Sequence, residues 1–359
     1  MRKYAAVLLS RQPLRPTGRS AWVRQSTAAV QWLAEQGYGL AASTGMQTWE
    51  LLLALGSTHK IPLKLYVPAE STDDVTRLCE RTTEGFALNP SLTEYVPVVS
   101  SDSRKERDRL IIEQADLLVP ISLREGGRID TLLAEAAERG QDVCRKFETP
   151  WQKRQESLKL DTEHLGNNPE LSLLRDQYIT HWTRATNSAW PDERPIDFYN
   201  AVIQSSTWAR SGFETLRRIT GTRTLIGSSR NMPDRIVTVA FSSLSPMQVI
   251  PLMTWRARHC QMSFEPYGIG IDRKIAEDLG IEPVKYFRAG LKSATPEGER
   301  WLWQSIGKIT DWRAENEHRH KGNLDLSGVS PDSIVLFCHT SQEASILREQ
   351  FPFRVILFN

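Results

Sequence analysis

The stretch Leu117-Leu118-Val119-Pro120-Ile121-Ser122-Leu123-Arg124-Glu125-Gly126-Gly127 constrains the fold more than any other part of the chain. An apolar run long enough for one buried strand passes into a polar turn that ends in two glycines. Residues 129–139 then follow at helical spacing. A strand that feeds a helix through a tight turn is the building unit of a parallel α/β sheet, because parallel strands need a crossover connection. Backbone amides at the helix N-terminus, beyond the carboxyl end of the strand, form a ready anion site. A ligand carrying phosphate is the expectation there.

The rest of the first half keeps the same rhythm. Strands are expected at residues 4–9, 38–42, 63–67 and 117–121, and helices at 22–36, 47–55, 105–114 and 129–139. In the first helix Trp22, Val23, Ala29, Val30, Trp32 and Leu33 fall on one helical face. Alternation of this kind predicts an α/β, doubly wound, mainly parallel Rossmann-type sheet over residues 1–150. The charged run Gln152-Lys153-Arg154-Gln155-Glu156 and the breakers Gly166-Asn167-Asn168-Pro169 then predict a linker over 151–177. Residues 178–359 change character. Short β-rich pieces at 236–241, 267–271 and 284–287 precede a strand at 334–338, a helix at 341–350 and a strand at 354–358. That order predicts an α+β domain ending in a βαβ tail.

With 359 residues and 40% hydrophobic content the chain can bury two cores. A net charge of +2 does not indicate a broad nucleic-acid surface, although local arginine clusters can still hold phosphate. Cys79, Cys144, Cys260 and Cys338 are scattered, which predicts reduced thiols in the cytoplasm rather than a disulfide frame or a zinc site. The apolar opening is cut by Ser10-Arg11-Gln12, so it reads as a strand and not as a signal peptide. No run approaches the roughly 18 apolar residues of a membrane helix, and no membrane partner is expected.

Ser10-Arg11 after the first strand, Ser43-Thr44-Gly45-Met46 after the second, Arg107-Asp108-Arg109 opening a helix, and the Gly126-Gly127 turn occur in that order. Together they resemble the Rossmann-type superfamily that contains the DNA-processing protein A family and the Lonely-guy phosphoribohydrolases. The resemblance spans roughly residues 4–144. It implies a nucleotide-type small molecule held by Ser10, Arg11, Ser43, Thr44, Gly45, Arg107, Asp108, Ser122, Arg124, Gly126 and Gly127. The match departs in two places. Asp108 replaces the asparagine of an Arg-Asn-Arg motif, and Leu133 stands where the phosphoribohydrolases carry their catalytic glutamate. Base–sugar cleavage by that mechanism is therefore not expected, and a binding or sensing pocket is. Physically, Arg107 and Arg124 can offer planar forks to phosphate oxygens. Arg107 and Arg109 can equally pair with neighbouring carboxylates.

In the second half Tyr178-Ile179-Thr180-His181-Trp182-Thr183-Arg184 sets a histidine in a β-prone run. It is followed by Gly227-Ser228-Ser229-Arg230, by Val237-Thr238-Val239-Ala240-Phe241-Ser242, by Phe264-Glu265-Pro266-Tyr267-Gly268-Ile269-Gly270-Ile271, and by Glu315-Asn316-Glu317-His318-Arg319. The order resembles uncharacterised bacterial abortive-infection-type proteins over residues 178–340. More distantly it resembles ADP-ribosyltransferases. Those resemblances imply an anti-phage defence protein with a catalytic set of His181, Arg230 and Glu317 and with NAD or another nucleotide as cofactor or substrate. In that scheme the first domain senses a nucleotide-derived ligand and the second acts. His181 would hold the ribose, and Glu317 would be the catalytic carboxylate.

Other readings stay open. His181 can be a satisfied core histidine, and residues 313–319 can be a salt-bridged solvated segment. A non-catalytic module binding a nucleotide or single-stranded DNA, and a metal-dependent nuclease using Asp311, Glu315, Glu317 and His318, are the alternatives. No regular ligand spacing supports a metal, so none is expected. A homo-oligomer is compatible with the sequence.

Overall fold

The computed structural model describes residues 2–153, 160–230, 232–287, 296–306 and 312–358. The chain forms two compact units, Met1–Gln155 with Glu193–Ala209, and Glu156–Asp192 with Arg210–Asn359.

The first unit is a doubly wound α/β layer structure. Its elements run β1 (Tyr4–Leu9), α1 (Ala21–Glu35), β2 (Gly39–Ser43), α2 (Gln47–Thr58), β3 (Leu63–Ala69), α3 (Thr72–Gly85), β4 (Thr93–Val99), α4 (Ser103–Gln114), β5 (Leu117–Ser122) and α5 (Arg128–Glu138). All five strands are parallel, in the order β4-β3-β2-β1-β5. β1, β2 and β5 are covered on both faces, so they read as continuous apolar runs rather than as alternating ones. The sequence pattern did not mark α3 and β4. α3 turns a narrow stripe inward, Val75 and Thr82 buried with Leu78 and Cys79 half-buried between them, and it starts on Ser71, whose side chain accepts the Asp74 amide. β4 lies at the sheet edge and is mostly part-exposed.

One further helix, α6 (Pro195–Gln204), comes from much later in the chain and completes this unit. Tyr199 donates its hydroxyl to Glu50 Oε2 at 2.8 Å and stacks on Phe86 at 6.2 Å between ring centroids. Gly18 lies so close to the Ile203 carbonyl that a Cβ there would stand 2.1 Å from the oxygen. Only glycine fits at that approach.

The second unit is built on a seven-stranded mixed sheet. Its strands are β6 (Tyr178–Thr183), β7 (Thr238–Ser242), β8 (Tyr267–Asp272), β9 (Glu282–Pro283), β10 (Glu317–Lys321), β11 (Ile334–Cys338) and β12 (Arg354–Leu357), in the order β9-β10-β7-β6-β8-β11-β12. Helices α7 (Gly212–Thr222) and α8 (Ser341–Gln350) cover one face. β11 shows the two-sided burial at its simplest. Ile334, Leu336 and Cys338 join the core under those helices, while Val335 and Phe337 join a second core with Leu165, Leu171, Leu174 and Trp182. Trp182 lies across β8 because Gly268 gives it room, since a Cβ there would stand 2.9 Å from its ring. The closing β11-α8-β12 unit is parallel, as the sequence predicts.

The chain does not divide as expected at 151–177. Leu165, Leu171 and Leu174 are buried in the second unit, and Asn168 Nδ2 donates to the Leu357 carbonyl at 2.9 Å. Residues 160–177 thus belong to the second unit, anchored by three buried leucines, and residues 154–159 lie outside the described residues. The segment that departs from the second unit is Glu193–Ala209, whose apolar helix face finds its partners near residues 50 and 86. Replacing Tyr199 by phenylalanine leaves Glu50 without its charge-assisted partner. Urea unfolding should show the first unit losing about 1.5–3 kcal/mol, and an unchanged midpoint would mean that α6 does not anchor there.

Candidate functional site

In the first unit the strand order reverses at β1, which has β2 on one side and β5 on the other. The crevice outside the carboxyl ends of β1 and β5 is where open α/β sheets take ligands. Ser10, Arg11, Ser122, Arg124, Gly126 and Gly127 all stand at that end, yet most of their polar atoms are already committed. Ser10 Oγ accepts the Arg124 amide at 2.9 Å. Ser122 Oγ donates to the Pro150 carbonyl at 3.4 Å, and Ser43 Oγ donates to the Tyr66 carbonyl at 2.7 Å. The Gly126 amide donates to Asp130 Oδ2 at 3.0 Å, so a carboxylate of α5 itself fills the anion position. A pocket of about 370 Å³ opens beside this turn, lined by Glu125, Asp130, Glu148 and Trp151. Three carboxylates oppose a phosphate there. The expected phosphate cradle at Gly126-Gly127 is corrected on that ground.

Arg107 requires a second correction. It is 2% exposed and turns inward. Its Nε donates to Asp108 Oδ1 at 2.9 Å, and its Nη1 donates to Ser43 Oγ at 3.3 Å and to the Thr44 carbonyl at 3.1 Å. The guanidinium also lies over the Trp49 ring at 5.6 Å. Burial lowers the Arg107 pKa and raises that of Asp108, and the mutual attraction of the pair opposes both shifts. The fork therefore pins the loop between β2 and α2 and is not offered to a ligand. Arg109 pairs with Glu106 and Glu113. Arg11 and Arg124 remain exposed, Arg124 with its guanidinium 6.0 Å from the Trp151 ring centre. Gly45, at φ +84°, is exposed in the turn that Arg107 holds.

The second unit offers a different kind of site. β6 and β7 share a single registered pair, Thr180 with Ser242. Past that pair His181, rather than a further backbone pair, closes the contact, with Nδ1 at 2.8 Å from the Ala240 carbonyl. A carbonyl only accepts, so Nδ1 carries the proton and Nε2 is left as an acceptor. Burial lowers the His181 pKa, which keeps the ring neutral at pH 7. A cavity of about 710 Å³ opens at this parting of the strands. His181, Arg184, Arg230, Ser242, Arg256, Glu315 and Glu317 line it, with Trp190 and Trp312 among its aromatic walls. The three residues expected to form a catalytic set, His181, Arg230 and Glu317, thus border one cavity.

Each carboxylate is held differently. Glu317 pairs across the ladder with Ser242, and both its oxygens accept from Arg319, Nε at 2.7 Å and Nη2 at 3.0 Å. Arg319 is buried, and it also donates to the Trp301 carbonyl and to Gln304 Oε1, each at 2.8 Å. Glu315 takes one bond from Arg256 Nη2 at 2.7 Å, and Arg256 lies over the Trp312 ring at 4.9 Å. Burial raises the Glu315 pKa, and Arg256 opposes the rise. Ser242 Oγ donates to the Glu315 carbonyl at 2.7 Å, tying that short turn to β7.

The remaining cations are less committed. Arg184 Nη1 donates to the Ser263 carbonyl at 3.1 Å. Burial, then the neighbouring Arg256, pulls its pKa down. Arg230 follows a turn fixed by reciprocal backbone bonds between Ser228 and Thr238, and its own amide donates to Ser228 Oγ at 3.1 Å. Sequence reasoning gave Arg184 and Arg256 no role. Arg184 at least lies in the quoted run with His181, whereas nothing local marks Arg256. For the nuclease alternative, Asp311 lies outside the described residues. Glu315 and Glu317 each face an arginine, and His318 Nδ1 donates to the Asn316 carbonyl at 3.1 Å.

No protein-family model matches the chain, and no curated protein matches it. Among solved structures, DNA processing protein A from Helicobacter pylori, described for its single-stranded DNA binding mode, is similar over 41% of this chain and 68% of that one. The identity is 15% and the TM-score 0.28.

Two outcomes follow from the geometry. Arg107→Met removes the main partner of Asp108 and leaves it only Arg128 Nε at 3.6 Å, so thermal or urea unfolding should report a loss of about 3 kcal/mol. An unchanged stability would return Arg107 to the list of free phosphate forks. For His181 the folded pKa lies below the ordinary 6.5. The unfolded chain therefore binds the proton more readily, and stability falls as pH drops below that value. Urea midpoints should decline less from pH 7 to pH 5 in His181→Gln than in the unaltered protein. Equal slopes would show that the ring is not held neutral.

Proposed function

We propose that the second unit binds a phosphorylated nucleotide in the cleft between β6 and β7 and acts on it by an ADP-ribosyltransferase-like reaction, with NAD as the first substrate to test. The observation that carries this reading is the convergence of neutral His181, the arginine-held Glu317 and the Arg184, Arg230 and Arg256 guanidiniums on one cavity of about 710 Å³. That volume suits a ligand of nucleotide or dinucleotide size. Aromatic walls favour a base, and guanidiniums favour phosphate.

In the proposed reaction the bond between the ribose anomeric carbon and nicotinamide breaks, and nicotinamide leaves with the electron pair. The acceptor's lone pair then forms the new bond at that carbon and its proton is released. Glu317, oriented through both oxygens by Arg319, stabilises the positive charge that develops on the sugar. His181 Nε2 accepts a hydrogen bond from a ribose hydroxyl. The sensing role of the first unit rests on Arg11, Arg124 and Gly45 at the carboxyl end of its sheet. The role in anti-phage defence rests on the sequence resemblance alone.

Incubating the full chain with NAD labelled in its adenylate half, with a nucleotide panel as activators, tests the reading. Nicotinamide release and label transfer are expected, and Glu317→Gln should lower the rate by about a hundredfold or more while ADP-ribose affinity is retained. Nucleotide binding without turnover would overturn the transferase step and leave a non-catalytic nucleotide-binding unit. Turnover unaffected by Glu317→Gln would remove that carboxylate from the chemistry.

A further inference from the structure

The charges that border the cleft of the second unit are not equally spent. Arg256 is paired with Glu315, and Arg319 behind Glu317 is paired with that carboxylate. Arg184 and Arg230 form no ion pair among the described residues. Arg184 gives one donor to the Ser263 carbonyl, which leaves the rest of its five-donor fork free. Arg230 has its backbone amide fixed on Ser228 Oγ, so the turn that carries it is held while its guanidinium is uncommitted. Both side chains line the same cavity and keep solvent-accessible surface, although the surrounding protein desolvates Arg184 enough to lower its pKa.

We propose that Arg184 and Arg230 together form a pyrophosphate subsite, so that the ligand of this cleft is a nucleotide joined through a diphosphate. The inference rests on the reading of the cleft as a nucleotide site and narrows it to one chemical class. Each guanidinium is a planar fork matched to one phosphate group. A monophosphate would satisfy one fork and leave the other as a lone cation. In a nucleic-acid strand successive phosphates are separated by a sugar, whereas a pyrophosphate presents two linked phosphate groups to the two forks that line this one cavity. Burial and then Arg256 lower the Arg184 pKa, Glu315 and Glu265 oppose the shift, and repulsion from Arg230 adds a smaller lowering. A doubly anionic ligand relieves that repulsion, and a neutral one does not.

Titration calorimetry on the full chain with ADP-ribose, AMP, inorganic pyrophosphate, inorganic phosphate and a short single-stranded oligonucleotide tests the subsite. ADP-ribose is expected to bind at least about tenfold more tightly than AMP, and pyrophosphate more tightly than phosphate. Arg184→Gln and Arg230→Gln should each erase most of that preference, and Arg184→Lys, which keeps the charge but loses the fork, should restore only part of it. Unfolding curves matching the unaltered protein keep these variants interpretable, since both side chains keep solvent-accessible surface. Equal affinity for ADP-ribose and AMP, lost together in the variants, would overturn the subsite while leaving the cleft a nucleotide site. A diphosphate preference that persists in the double variant would place the subsite elsewhere and overturn it. Tighter binding of the oligonucleotide than of ADP-ribose would overturn it in favour of a strand-binding cleft. Absence of all nucleotide binding would overturn both the subsite and the function proposed for the cleft.

Discussion

The wall of the cleft in the second unit depends on one buried charge, the guanidinium of Arg319. A cation removed from water costs several kcal/mol unless its donors are matched. Here they are matched by Glu317, the Trp301 carbonyl and Gln304. Those partners lie on β10 and on the segment just before it in the fold, so satisfying one charge ties two pieces of chain into a single wall. Glu317, a lining residue of the cavity, is thereby oriented through both of its oxygens. Removing Arg319 would release the carboxylate and the wall together.

Arg107 in the first unit obeys the same rule with a different result. Its donors are spent on Asp108, Ser43 and Thr44, and its face is covered by Trp49. Nothing is left over for a ligand. The two arginines show why a guanidinium near a strand end is ambiguous evidence for phosphate: the fork that fits a phosphate also fits a carboxylate or a loop carbonyl. The deciding quantity is how many of its donors the protein itself has taken.

That ambiguity sets what the sequence could reveal. Strands β1, β2 and β5 were legible because burial on both faces makes each an unbroken apolar run, bounded by polar turns. Helix α3 was not, because its stripe of Val75, Leu78, Cys79 and Thr82 holds only two strongly apolar side chains within a charged run. Helix α6 has an apolar face of its own, but its partners Glu50, Phe86 and Gly18 are more than a hundred residues away, and no local pattern names them. The linker expected at 151–177 failed for a related reason. Its breakers are real, yet Leu165, Leu171 and Leu174 between and beyond them are core residues. Within the cleft, the order of His181, Arg230 and Glu317 along the chain was readable, because each sits in a run with strand character or a turn. Arg256 was not readable. Its place is set by Glu315 and Trp312, nearly sixty residues later.

The contrast between the two units also bears on where an anion can be held at least cost. At the β5–α5 turn the Gly126 amide is occupied by Asp130, and a phosphate entering there must displace that carboxylate while facing Glu125 and Glu148. The displaced charge stays nearby, so the exchange gains little. In the cleft beside β6 and β7 the balance is opposite. Glu315 and Glu317 are each paired with an arginine, while Arg184 and Arg230 form no ion pair among the described residues, although Glu315 and Glu265 attract Arg184. An anion taken up as proposed would therefore have no ion pair of Arg184 or Arg230 to break among the described residues. A ligand that binds only the folded state stabilises it in proportion to its concentration over its Kd. Arg184, bonded to the Ser263 carbonyl, and Arg230, on a turn fixed at Ser228, are placed before any anion arrives, which is the electrostatic form of preorganisation.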